Sequence, residues 1–94
     1  MLGLKCTIVL ARDHTENRGK LTVRVVFEGA ISEDLRTRVY DWDRLSAVLA
    51  KFCIIRTPEI EPMRREIEYG VPVMLIAHLT EEELRELDSN HFVH

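Results

Sequence analysis

Hydrophobic and polar positions alternate along residues 2–11, with Leu4, Cys6, Ile8 and Leu10 on one face and Lys5, Thr7, Val9 and Ala11 on the other. That period of two predicts a half-buried strand. Residues 20–28 repeat the pattern, with Leu21, Val23, Val25 and Phe27 on the buried side. Residues 12–19 are polar throughout and contain Asn17 and Gly19, which tolerate turn conformations, so an exposed loop joins the two strands into an antiparallel hairpin. Residues 71–79 differ: they are apolar apart from His78, rich in Val and Ile, and introduced by Gly70. Without alternation, this run predicts a strand buried on both faces, hence a central one. Thr80 and Glu83 then form a capping-box pair, with Glu81 and Glu82 at the positive end of the helix dipole, so a helix starts at once.

The middle of the chain admits two assignments over residues 30–40. Ser32, Glu33 and Asp34 can open one long helix whose apolar stripe includes Leu35, Val39, Trp42, Leu45, Leu49 and Phe52. Alternatively, residues 35–40 alternate as a short strand, and Asp41 caps a helix beginning at Trp42. Thr37, Val39 and Tyr40 favour the strand, and a helix over 42–54 has an ordinary length. Thr57 and Pro58 end that helix and can start another, with Thr57 as its cap. Pro62 makes the new helix irregular or moves its start towards Glu61, and Gly70 is its left-handed terminator. Residues 89–94 form a polar tail carrying the apolar pair Phe92 and Val93.

The pattern predicts one α+β domain over residues 1–94, a hairpin or meander plus one buried strand, with two to three helices packed on one face. At 94 residues, 46% hydrophobic and 31% charged, such a chain buries roughly three-fifths of its unfolded surface and needs no metal or disulfide. Cys6 and Cys53 lie far apart in apolar segments and are expected to be buried free thiols. A net charge of −3 disfavours sequence-independent nucleic-acid binding. Neither a signal-peptide pattern nor a membrane-length apolar run occurs in the sequence, and the expected location is the cytoplasm.

Catalytic signals are weak. There is no phosphate-cradling glycine loop, nucleophile-elbow serine or Cys-x-x-Cys, and no cofactor is implied. Asp41 and Asp43 flank Trp42 in a spacing open to metal binding or acid–base work, but helix capping accounts for both. His78, before a helix start, can join Asp41 or Asp43 and the loop residues Asp13 and His14 in a metal-dependent hydrolase only if the fold gathers them. Asp88, His91 and His94 have a short ligand-like spacing that falls short of a metal site.

The sharpest feature is a run of Arg36, Arg38, Tyr40, Trp42 and Arg44. Tyr, Trp and Arg are enriched at the energetic centres of protein interfaces, so the leading expectation is a non-enzymatic protein-binding module, accessory, regulatory or inhibitory, using that patch. An Arg36 and Arg38 stripe gripping nucleic acid is the alternative. Unpaired strand edges and the Phe92–Val93 pair add the expectation of a homodimer.

Overall fold

The computed structural model describes residues 3–14, 19–29 and 37–91. Four strands form one antiparallel sheet: β1 Leu4–Arg12, β2 Thr22–Gly29, β3 Thr37–Asp41 and β4 Val73–Leu79, in the order β3-β2-β1-β4. Helices α1 Trp42–Lys51 and α2 Thr57–Glu68 carry the chain from one sheet edge to the other, and α3 Glu81–Ser89 follows β4. This is the expected α+β architecture.

The alternation of β1 and β2 does what the pattern predicts except at Leu4, which begins β1 and is 45% exposed. Cys6, Ile8 and Leu10 of β1 and Val23, Val25 and Phe27 of β2 are buried, in one core with Leu45 and Leu49 of α1, Ile67 of α2, and Leu84 and Leu87 of α3. The shortest extent, 18 Å, accommodates one sheet and one helix layer. The opposite sheet face, carrying Thr7, Val9, Val26, Val39, Met74 and Ile76, has no helix over it among the described residues.

Local signals fix the helix ends. The Asp41 carboxylate accepts from the backbone N–H of Asp43 at 3.3 Å, which starts α1 at Trp42. Residues 37–41 are therefore strand; the part of the assignment resting on residues 35 and 36 lies outside the described residues. At α3, Thr80 Oγ1 accepts from Glu83 N while the Glu83 carboxylate accepts from Thr80 N, the reciprocal box expected. Two details of α2 differ from expectation. Its cap is Arg56 rather than Thr57, and the helix runs unbroken through Pro62. Pro62, in the middle of α2, lacks the N–H that would bond the Pro58 carbonyl, yet the helix continues past it.

Helices α1 and α2 end in the same way. Gly70, at φ 86°, follows α2; its N–H reaches the Ile67 carbonyl, and the Val71 N–H reaches that of Glu66. These are the paired bonds of a Schellman turn. Arg12 Nη1 donates to the Glu68 carbonyl at 2.8 Å, tying this helix end to β1. After α1, Cys53 N bonds Ala50 O and Ile54 N bonds Leu49 O, but the left-handed position is filled by Cys53 at φ 59°. Its side chain is exposed, against the expectation of a buried thiol, whereas Cys6 is buried as expected.

The largest departure is β4. Its unbroken apolar run predicts a central strand buried on both faces, yet among the described residues it pairs with β1 alone and forms an edge. Ala77 and Leu79 are buried, whereas Met74 and Ile76 are 68% and 65% exposed. An apolar run does not encode strand order, and here only one of its faces meets the core.

The strained cap yields a test. Cys53→Gly should stabilise the fold by about 0.5–1 kcal/mol, because glycine enters the left-handed region without a Cβ penalty. Thermal denaturation should register a rise of roughly 2–6 °C, while Cys53→Ala, which keeps the Cβ, should give no comparable gain.

Candidate protein-binding surface

The Tyr40 and Trp42 cluster is not the surface the sequence promised. Tyr40 is fully buried and Trp42 is 2% exposed, both within the core. The reason is the pleat: Arg38 and Tyr40 do share a face, but it is the helix-covered one. Arg38 extends along the rim of that face, where its Nε donates to Asp88 Oδ1 of α3 at 2.8 Å. Arg44 is exposed on α1, and Arg36 lies outside the described residues. The expected arginine stripe is thus not a free surface at Arg38.

Tyr40 is instead a structural residue. Its ring meets that of His91 edge to face at 6.4 Å, and its hydroxyl is buried with no hydrogen-bond partner among the described residues. Burial, reinforced by the Asp88 carboxylate and opposed by Arg38, pushes the phenol well above its ordinary value. The Cys6 thiol is raised by burial alone.

The proposed hydrolase residues are not gathered together. Asp13 N donates to Thr22 O, and Thr22 pairs with Asp41, so Asp13, Thr22 and Asp41 form one row across the sheet. His78 pairs with Lys5 near the far end of β1. At ~3.4 Å per residue the two locations are roughly 25 Å apart, too far for one catalytic centre. Within the row, Asp13 accepts from Arg24 at 2.9 Å, and Asp41 combines its cap with Lys20 at 3.9 Å. Asp43 is exposed at the start of α1, and His14 is exposed beside Asp13. His91 Nδ1 contacts the Asp88 carbonyl and lies 3.5 Å from its carboxylate; His94 and the Phe92–Val93 pair lie outside the described residues. Among the described residues, no group of three or more His, Cys, Asp or Glu is placed to hold a metal ion.

What the fold does gather is apolar and lies at the β4 edge. From Gly70 to Ala77 the sequence carries no charge. Tyr69 is 86% exposed and Val71 49%, leading into Met74 and Ile76 on the open sheet face. Register places Met74 beside Val9 and Val26, which continues the apolar surface inward, while Ile76 stands beside Thr7, whose partner on β2 is Glu28. Edge strands are ordinarily blunted by charge, shortness, proline or a bulge. The opposite edge follows that rule: β3 has five residues and includes Arg38 and Asp41. β4 has seven, and its protection is limited to Pro72 before it and His78 near its end.

The backbone direction at this edge follows from the ladder. Because Asp13 N donates to Thr22 O, the odd-numbered residues of β1 bond β2 and the even-numbered ones bond β4. The partners of the even residues are Val73, Leu75, Ala77 and Leu79. The N–H and C=O groups of Met74, Ile76 and His78 therefore point outward, along the same residues whose side chains stand on the open face.

Comparison with known proteins gives no relative from which to take a role: no family model, curated protein or solved structure matches the chain. No helix among the described residues is long and apolar enough to cross a membrane.

The buried groups yield a pH prediction. Unfolded tyrosine and cysteine ionise near 10 and about 8.5, while folded Tyr40 and Cys6 hold their protons to higher pH. Their contribution to stability is full below about pH 8 and is lost as pH rises. In a Tyr69→Phe background, the phenolate absorbance of Tyr40 should appear only together with unfolding. Tyr40→Phe should change stability at pH 7 by less than ~1 kcal/mol, since the hydroxyl has no hydrogen-bond partner among the described residues, and should lessen the decline above pH 10 in denaturant titrations.

Proposed function

We propose that this chain is a small, non-enzymatic protein-binding module whose contact surface is the β4 edge and the adjoining open sheet face, not the Trp42 cluster. The observation carrying this reading is the exposure of Met74 and Ile76 on an uncharged edge strand. Exposed apolar side chains beside a row of unpaired backbone donors and acceptors favour strand addition: the backbone ladder supplies affinity and alternate side chains supply selectivity. The role is accessory, regulatory or inhibitory, and the proposed location is the cytoplasm.

The nucleic-acid alternative has less support. The net charge is −3, and Arg38, one member of its stripe, is half-buried and paired with Asp88.

The test is affinity capture from a lysate of the source cell, with and without nuclease, using the wild-type chain, Ile76→Lys and the double variant Arg38→Ala/Arg44→Ala. A stoichiometric protein should survive nuclease and fall at least tenfold with Ile76→Lys, while the arginine variant retains it. Equal capture by Ile76→Lys would rule out the β4 surface, and nuclease-sensitive capture would favour the nucleic-acid reading.

A further inference from the structure

Resting on the assignment of β4 as a binding edge, we propose that its occupant is a second copy of this chain. Two β4 strands pair antiparallel about a two-fold axis at Leu75, joining two four-stranded sheets into one of eight strands. A two-fold interface requires a surface complementary to itself, and an antiparallel strand edge with no charge in its middle meets that requirement.

The register follows from the outward backbone groups. Among the described residues the outward donors and acceptors of Met74, Ile76 and His78 are unpaired, so a ladder must match even-numbered residues of the two copies with one another. With Leu75 facing Leu75 of the second copy, Met74 exchanges hydrogen bonds with Ile76 of that copy, and the reciprocal pair forms across the axis. On the open face this sets Met74 against Ile76; on the helix side it sets Val73 against Ala77. His78 falls opposite Pro72, whose carbonyl accepts from the His78 N–H but which has no N–H to return, so the ladder ends after that bond. A shift by one pair to an axis at Ile76 would instead place Met74 against His78, opposing an apolar side chain to a polar one.

The available area is also of the right size. Tyr69, Val71, Met74 and Ile76 leave on the order of 500 Å² of side chain accessible per copy, at the upper end for a patch on a monomer. A standard interface covers about 800 Å² per partner. The backbone edge, the half-buried Val73 and Leu75, and the helix ends contribute further area.

The experiment combines sedimentation mass with a site-specific cross-link. The wild-type chain should sediment as a dimer at micromolar concentration, and Ile76→Lys should raise the dissociation constant at least ~100-fold by placing a charge in each apolar contact. Met74→Pro, which removes only an outward N–H and spares the ladder to β1, should also give a monomer and controls for misfolding. At a non-hydrogen-bonded pair the Cα atoms lie ~4.5 Å apart, within disulfide range. In a Cys53→Ser background, Leu75→Cys should therefore form a covalent dimer under mild oxidant.

A monomer at ~100 μM that forms no Leu75→Cys bridge overturns the proposal. A dimer that Ile76→Lys leaves intact overturns it too, by placing the contact elsewhere. Loss of the dimer in Ile76→Lys without the bridge overturns the Leu75 register. If the chain is monomeric but Ile76→Lys still abolishes capture of another protein, the second copy is excluded and the binding-edge reading stands.

Discussion

The antiparallel pairing of β4 with β1, in the register that sets Leu75 opposite Ile8, is the contact that closes the fold. It joins residue 4 to residue 79, so it spans nearly the whole chain. It also requires α1 and α2 to cross from the β3 edge to the β4 edge, which lays them over one sheet face. Gly3 marks how closely the strands meet: a Cβ there would lie 2.6 Å from the Leu79 backbone. Among the described residues, the other side of β4 is left unpaired. Core closure and edge exposure are therefore consequences of one contact.

Polar contacts adjust this frame more than they hold it. The Arg38–Asp88 and Lys51–Glu86 pairs link β3 and α1 to α3, but partly exposed ion pairs each contribute only ~0–1 kcal/mol. Most of the stabilisation comes from burying the apolar faces of β1 and β2 beneath the helix stripes. That burial acts on one sheet face. Among the described residues no helix covers the open face, and moderately apolar residues such as Val9, Val26 and Val39 stand there without forming a second core.

Much of the local structure was legible in the sequence because its signals are short-range. The β1 and β2 alternation, the Asp41 cap, the Thr80–Glu83 box and the Gly70 terminator each specify a conformation within a few residues. Strand order and the choice of covered face are set by long-range packing. Hence Tyr40 and Trp42, whose residue types suit an interface, turned out to be core, and the apolar β4 turned out to be an edge. A usable signal was nevertheless present: clean alternation in β1 and β2 implies a sheet with an open face. In such a sheet an apolar strand must expose half its side chains, and Met74 and Ile76 are the ones that result.

Amide hydrogen exchange across a range of protein concentrations distinguishes a pairing surface at the outer edge of β4 from an idle one. The amides of Leu75 and Ala77, bonded to β1, should be protected at every concentration. Those of Met74, Ile76 and His78 should exchange fast in dilute solution and slow together as concentration rises into the micromolar range. Fast exchange at those three amides at all concentrations, alongside protected Leu75 and Ala77, would contradict pairing of this edge with a second copy.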